Sequence, residues 1–242
     1  MPLYTADALI LRTYKLGEAD RIVVFLTRDR GKKRGVAKGA RRPRSRFTGA
    51  LEPLTEVRVA YFEKERRELV GLNFAETIRS PLGLVGGPNH LRQGSGEARQ
   101  SAEGATAAGA PGSDALGYVS YFAELLDEWA QEADADERLY RLGASMLNAL
   151  SVGAPVEPLA RYFEYWLLRL QGVYPESKGM LSASAMAFLA ASRSISPERV
   201  SELPAERRAL KELETLHRGL IAIHLEKTLK SDRVLRHLSR DS

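Results

Sequence analysis

Residues 21–46 read RIVVFLTRDRGKKRGVAKGARRPRSR, and this stretch joins two predicted strands to a dense run of positive charge. Residues 21–27 are a short, almost unbroken apolar run rich in β-branched residues, which is typical of a central strand. Asp29, Arg30 and Gly31 form a turn signal, and residues 32–37 follow as a second strand. The stretch therefore predicts a β-hairpin that leads directly into a basic loop.

The positive charge is concentrated in residues 28–46, which hold ten Lys or Arg against one acid, Asp29, a net charge of +9 in nineteen residues. Pro43 prevents a helix through the arginines. Such a segment repels itself and buries no apolar surface, so it needs support from the rest of the fold. A polyanion is its natural counter-surface, because each neutralised phosphate releases a condensed counterion. A solvated loop without a partner is the other interpretation of the charge alone.

The charge of the whole chain is unevenly placed. Residues 1–80 carry 18 basic and 10 acidic groups, a net charge of +8, whereas the remaining residues carry 18 and 21, a net charge of −3. This asymmetry predicts a polyanion footprint on the N-terminal part. The prediction requires that the cations of residues 28–46 are not taken up by ion pairs with the acidic C-terminal half.

The chain has no cysteine, which excludes disulfides, thiol catalysis and cysteine zinc sites. No apolar run approaches the ~18 residues needed to span a bilayer. We therefore expect a cytoplasmic protein.

Three further segments complete a β pattern in the first eighty residues, namely 3–16, 54–62 and 69–77. In the second, Val57, Val59 and Tyr61 share one face and Phe62 lies on the other. The third is expected to have one apolar face, formed by Val70, Leu72 and Phe74. Five short strands without a helical interruption predict a five-stranded OB-fold β-barrel. Such barrels bind oligonucleotides on an open strand face.

Beyond residue 113 the apolar period becomes helical. Helices are predicted around 116–129, 139–150, 159–170, 183–191 and 205–230, with a single turn at 196–198. For the fourth helix we expect Ser182 as the N-cap. For the last we expect a buried stripe of Leu213, Leu216, Leu220 and Ile223.

The predicted fold class is thus α+β and multidomain. An OB-fold domain over residues 1–80 is followed by a flexible Gly/Ala-rich linker or insertion over 81–113. An all-α domain without a zinc ribbon occupies residues 114–242.

No active site is apparent in the sequence. The four histidines, 90, 217, 224 and 237, lack metal-ligand spacing and are interpreted as surface or boundary residues. We therefore expect no enzymatic activity, no metal and no cofactor. The candidate phosphate-binding residues are basic side chains of the hairpin and loop, namely Arg34, Lys38, Arg41, Arg42, Arg44 and Arg46.

Aromatic residues leave two interpretations open. Phe62 either stacks on a base or packs beneath the linker or the helical domain. The aromatic helix around residues 161–169 either forms the bundle core or contacts a partner. In the second case Arg161 and Arg169 are the candidate partner-binding residues.

With these residues in view, the chain resembles the RecO family of bacterial recombination mediators. The likeness covers most of the sequence outside 83–113, and it is carried by ALILR…EAD at 8–20, VAKGAR at 36–41, GALEP at 49–53, YFAEL at 121–125 and RYFE at 161–164. The resemblance implies an N-terminal OB-fold, a helical C-terminal domain and a role in the RecF pathway of DNA repair.

It also implies binding of single- and double-stranded DNA, annealing of complementary strands, and loading of RecA together with RecR. Lys38 and Arg41 fall on the family's basic motif. Arg161 falls on the helix that resembles the one contacting the acidic tail of single-stranded-DNA-binding protein. Many members carry a four-cysteine zinc ribbon after the segment matching residues 173–175, and here residues 177–182 are predicted to replace it. Two alternatives from the residues alone are an adaptor for an acidic peptide and an RNA-binding OB module.

Overall fold

The computed structural model describes residues 2–63, 68–81, 113–175, 181–226 and 229–231. The predicted linker and most of the segment 177–182 lie outside the described residues. So does the end of the chain after Ser231. The first part of the chain forms five strands, β1 (Leu3–Leu16), β2 (Asp20–Thr27), β3 (Gly31–Ala37), β4 (Glu56–Phe62) and β5 (Val70–Arg79).

The five strands close into a barrel in the order β1-β2-β3-β5-β4. All neighbours are antiparallel except β3 and β5, which pair in parallel over three residues of each strand. The predicted five-strand barrel is therefore confirmed. Alternate residues of the strands point inward and fill the interior, as Val57, Val59 and Tyr61 do.

The predicted apolar face of β5 is wrong at Phe74, whose side chain is 36% exposed. Tyr61 pairs with Leu72 but Ala60 pairs with Phe74, so Asn73 is an extra residue in β5. Such a bulge reverses the alternation of inward and outward side chains. Ala75 is buried beyond the bulge, and Phe74 faces outward.

The second part of the chain forms helices in the predicted order: α1 (Ser113–Trp129), α2 (Glu137–Ser151), α3 (Val156–Leu170), α4 (Ala183–Ala191), a 3₁₀ helix (Pro197–Glu202) and α5 (Arg207–Leu225). Ser182 caps α4 as predicted, because its hydroxyl accepts a hydrogen bond from the amide of Ala185. No helix in the described ranges is both long enough and apolar enough to cross a membrane.

The buried stripe of α5 differs from the prediction. It contains Ala209, Leu210, Leu213, His217 and Ile221, whereas Ile223 is 77% exposed. A polar residue occupies the central position, since the Nδ1 atom of His217 lies 3.0 Å from a carboxylate oxygen of Glu164 on α3. A search for apolar residues alone could not find this face. The interpretation of His217 as a surface or boundary residue is wrong.

The helices pack on the outer face of the barrel and form a hydrophobic core with it that is separate from the core inside the barrel. Outward-facing Leu9 of β1 and Leu26 of β2 belong to the same buried cluster as Phe122 of α1. The connection between α1 and α2 also pairs with β3, because the Lys32 amide donates to the carbonyl of Gln131 at 3.1 Å and the Ala133 amide donates to the carbonyl of Lys32. The helices therefore cover one end of the β1–β2 surface and leave the other end open.

Candidate nucleic-acid interface

The basic segment divides into two halves with different surroundings. Each cation of residues 28–34 lies within 4.0 Å of a carboxylate oxygen, in the pairs Arg28–Glu137, Arg30–Asp29, Lys32–Asp127, Lys33–Glu63 and Arg34–Glu132. Much of their charge is therefore compensated within the molecule.

Three of these carboxylates, those of Asp127, Glu132 and Glu137, belong to the acidic C-terminal half. Residues 124–137 contain seven acidic and no basic residues, and the α1–α2 connection within this segment pairs with β3 at Lys32. Arg34, a predicted phosphate contact, is exposed, but its Nε atom lies 2.8 Å from Glu132. The first half of the segment therefore carries less net positive charge than the sequence alone indicates, whereas the prediction that Arg34 contacts DNA stays a prediction.

The second half of the segment, residues 38–46, presents its charge to solvent. Its five cations are all exposed, and within the described part of the chain no carboxylate lies within ion-pair distance of any of them: Lys38, Arg41, Arg42, Arg44 and Arg46. The Arg46 guanidinium lies 5.1 Å from the ring centre of Phe47. The prediction of a polyanion footprint required that these cations are not taken up by ion pairs with the acidic C-terminal half, and residues 38–46 meet that condition in the described structure.

This loop is folded back on the barrel by its own backbone. The Arg41 amide donates to the carbonyl of Ala19 at 2.9 Å, and its guanidinium donates to the carbonyl of Gly17 at 2.8 Å. The Gly39 amide donates to the Asp20 carboxylate at 2.8 Å. Phe47 then enters the barrel interior. These hydrogen bonds and the buried Phe47 therefore hold the cations beside the β1–β2 turn.

Beside that turn, the outer face of the barrel carries a row of apolar side chains. Tyr14 pairs with Ile22, and Ile22 pairs with Val36, so the three side chains line up across β1, β2 and β3. Tyr14 is 46% exposed and the other two are half-buried. Sequence reasoning missed Tyr14, although its place near the end of β1, next to the turn, was a usable signal.

Phe62, the predicted stacking residue, is half-buried and lies elsewhere on the circumference. It pairs with Gly71 of β5, which in turn pairs with Val36 of β3. Phe62 is thus two strands away from the row that borders the loop. Neither interpretation of Phe62 is tested by this placement.

The aromatic helix α3 faces inward. Tyr162 and Tyr165 are buried, in agreement with the interpretation that this helix forms the bundle core. The Arg161 side chain is only 4% exposed and lies 3.0 Å from the carboxylate of Glu164. That carboxylate also accepts a hydrogen bond from Tyr121. The structure therefore corrects the assignment of Arg161 as a partner contact, because the side chain is enclosed by α1, α3 and α5.

Burial penalises the ionised form of Glu164, but the neighbouring Arg161 and His217 outweigh that penalty and lower the pKa of Glu164. Burial also lowers the pKa of His217, against the opposing effect of Glu164. The chemistry of this network is internal, since it joins three helices and has no opening to solvent at Arg161, Glu164 or His217.

A groove on the helical surface provides a different site for a partner. It has a volume of about 290 Å³ and lies between α2 and α3. Its lining combines apolar and aromatic side chains with two exposed arginines of α2, of which Arg141 also lies 3.0 Å from a carboxylate oxygen of Glu137. The lining residues are Arg138, Arg141, Leu142, Ser145, Tyr162, Trp166 and Leu170. Sequence reasoning found the aromatic side of this groove but not the arginines.

Arg169, the second predicted partner-binding residue, is exposed near the same groove. Its guanidinium lies 5.7 Å from the ring centre of Trp166 and donates to the hydroxyl of Tyr165. Arg193 donates to the same hydroxyl at 2.6 Å. The surface around Trp166 is therefore cationic. Among the described residues, no group of three or more His, Asp or Glu side chains is arranged to hold a metal ion.

Comparison with known proteins assigns both parts of the chain. The family model described as Recombination protein O N terminal matches residues 1–81, and Recombination protein O C terminal matches residues 113–179. The DNA repair protein RecO of a Nocardioides species is 34% identical, over 95% of this chain and 97% of its own.

Two further relatives match shorter regions. The DNA repair protein RecO of Koribacter versatilis is 38% identical over 72% of this chain, and the match spans 61% of the Koribacter protein. That of Bifidobacterium adolescentis is 54% identical over 85 residues, which are 35% of this chain and 34% of its own.

Proposed function

The chain belongs to the RecO family of DNA repair proteins, and from that premise we propose that it binds single-stranded DNA through residues 38–46 and anneals complementary strands. The observation that carries the proposal is the set of five exposed cations without a carboxylate partner in the described structure. They are held beside the β1–β2 turn of an OB-type barrel. Phosphate groups are the anions that such a cluster fits.

The proposed mechanism needs no bond-breaking chemistry. Cations at Lys38, Arg41 and their neighbours neutralise phosphates of two strands and so reduce the repulsion between them. Base pairing then supplies the free energy of annealing. We further propose that the protein has the cellular role that the family resemblance implies. In that role it acts with RecR to help load RecA on DNA coated by single-stranded-DNA-binding protein.

The test is an annealing assay with complementary oligonucleotides across a salt series. Neutralising the five loop cations to glutamine should slow annealing strongly and flatten its salt dependence. The matched control neutralises five exposed cations of the helical part, Arg193, Arg199, Arg207, Arg208 and Lys211. If the two variants are slowed equally, net charge rather than the loop is responsible, and if the loop variant anneals as fast as the parent, the loop has no part; either result contradicts the mechanism.

A competition binding assay separates the proposal from an RNA-binding role. Matched RNA and DNA oligonucleotides compete for the protein at one salt concentration. An RNA module would prefer RNA through contacts to the 2′-hydroxyl group. We expect DNA to compete at least as well as RNA.

A second candidate function rests on the groove between α2 and α3. Its apolar and aromatic lining together with Arg138 and Arg141 suits a peptide with an aromatic end and acidic residues. We propose that the acidic tail of single-stranded-DNA-binding protein binds here, with Arg169 as a neighbouring cation. The buried Arg161 has no part in this contact.

A fluorescence titration with an acidic peptide that ends in phenylalanine tests this candidate. Arg138→Glu should weaken binding, because it places a negative charge in the lining of the groove. Arg207→Glu, which reverses an exposed charge on α5, is the matched control and should bind normally. Equal affinity of the two variants would exclude the groove as the binding site.

A further inference from the structure

The loop cations explain affinity for any nucleic acid, but they do not choose between single strands and duplexes. Phosphates are present in both, and contacts to them carry no information about pairing. A choice requires a surface that only unpaired bases can reach. The row formed by Tyr14, Ile22 and Val36 is such a surface.

The row is outward-facing, apolar and continuous. The three residues lie directly opposite one another on adjacent strands, and Gly71 of β5 lies opposite Val36. A Cβ atom added at Gly71 would meet nothing within 4 Å, so the surface stays open on that side. None of the three apolar residues belongs to either buried cluster of the described structure. The Tyr14 hydroxyl accepts a hydrogen bond from Arg12 at 3.4 Å, but packing in either core does not account for the exposed apolar area of the row.

The row also lies beside the loop cations. Tyr14 is two positions along β1 from Leu16, which pairs with Asp20. At about 3.3 Å per residue this separation is about 7 Å, roughly one nucleotide step. The Asp20 carboxylate binds the Gly39 amide of the loop, and Leu16 is itself 37% exposed. Charge and apolar surface thus meet at the β1–β2 turn.

We propose that the Tyr14–Ile22–Val36 row is a stacking platform for unpaired bases, which gives the protein a preference for single-stranded over duplex DNA. The inference rests on the proposed DNA-binding function of the neighbouring loop. A phosphate backbone held by the loop places its bases over the row, where the Tyr14 ring stacks on one of them. In a duplex the bases are already stacked on each other and paired, so the platform gains nothing from them.

The test compares three ligands of equal length at one salt concentration: a single strand, a duplex, and an abasic single strand that keeps the phosphates without the bases. Tyr14→Ala should weaken binding of the ordinary single strand about 5- to 150-fold. It should change binding of the duplex and of the abasic strand less than about twofold. Tyr14→Phe, which keeps the ring, should retain the affinity for the single strand.

The matched control is Phe74→Ala, which removes another partly exposed aromatic ring from a barrel strand outside the row. It should leave all three affinities unchanged. An equal loss on the abasic strand, or no loss on the ordinary strand, would overturn the inference. The variant with its five loop cations neutralised tests the proposed function independently. If it loses binding while Tyr14→Ala does not, the proposed function stands and only the stacking platform is excluded.

Discussion

The Nε atom of Arg34 lies 2.8 Å from a carboxylate oxygen of Glu132, and this contact joins β3 of the barrel to the connection between α1 and α2. It is one of several pairs through which the acidic residues 124–137 meet the first half of the basic segment. The helical part of the molecule therefore limits the positive surface of the barrel. Only the second half, residues 38–46, extends beyond these acids.

This division predicts different salt dependences for two double variants that each remove two charges. Each phosphate contact to a single strand contributes about −0.7 to the slope of log K against log salt. Arg41→Gln with Arg42→Gln should therefore reduce the magnitude of the slope by about 1.4. Arg28→Gln with Arg34→Gln should change it far less, because Glu137 and Glu132 already neutralise those arginines. Fluorescence anisotropy at several salt concentrations measures both, and equal slopes would contradict the division.

The sequence was informative where one physical rule decides the outcome. Strand alternation and apolar period predicted the five strands, the helices and the Ser182 cap. Prediction from the sequence failed where contacts between distant segments of the chain decide which side chains are buried. The bulge at Asn73 that exposes Phe74 is set by pairing with β4, and the burial of His217 is set by Glu164 on another helix. Glu132, which pairs with Arg34, is nearly one hundred residues away along the chain, so no local pattern could distinguish Arg34 from Arg41.

The buried pair of His217 and Glu164 predicts that stability depends on pH. Burial lowers the pKa of His217 below its ordinary value of 6.5, so the unfolded chain binds a proton more readily than the folded protein. The free energy of unfolding should therefore decrease as the pH falls below about 6.5, by at most about 1.4 kcal/mol per pH unit. Urea denaturation at pH 7.5, 6.5 and 5.5 measures this change.

His217→Gln should be less stable at pH 7.5 but should lose that part of the pH dependence. The matched control is His224→Gln, which removes the exposed imidazole stacked on Trp129 from the same helix. Identical pH profiles for the two variants would show that the buried histidine is not the titrating group.

The burial of Arg161 predicts a large difference between two arginines of α3. Arg161→Ala leaves the Glu164 carboxylate enclosed without its guanidinium partner, and loss of one member of such a buried pair costs about 3–5 kcal/mol of stability. Arg169→Ala removes an exposed side chain and should change stability little. Chemical denaturation of the two variants gives the comparison. Similar stabilities would mean that Arg161 is not enclosed in solution as it is here.

The contact between the barrel and the helices predicts a large effect at Gly31. This residue has a φ of +66°, and a Cβ atom added to it would collide with the backbone carbonyl oxygen of Asp134 in the α1–α2 connection. Gly49 has a φ of +75° with nothing within 4 Å of an added Cβ, so it is subject to the backbone strain alone. Gly49→Ala should therefore cost about 1–2 kcal/mol.

Gly31→Ala should cost clearly more, because the β3 strand and the connection that supplies Glu132 must move apart to admit the methyl group. The same movement should weaken the Arg34–Glu132 contact and release Arg34 toward DNA. We therefore expect the salt slope of DNA binding to become steeper in Gly31→Ala but not in Gly49→Ala. Equal stability loss in the two variants, measured by thermal unfolding, would mean that the close approach of Asp134 to β3 does not persist in solution.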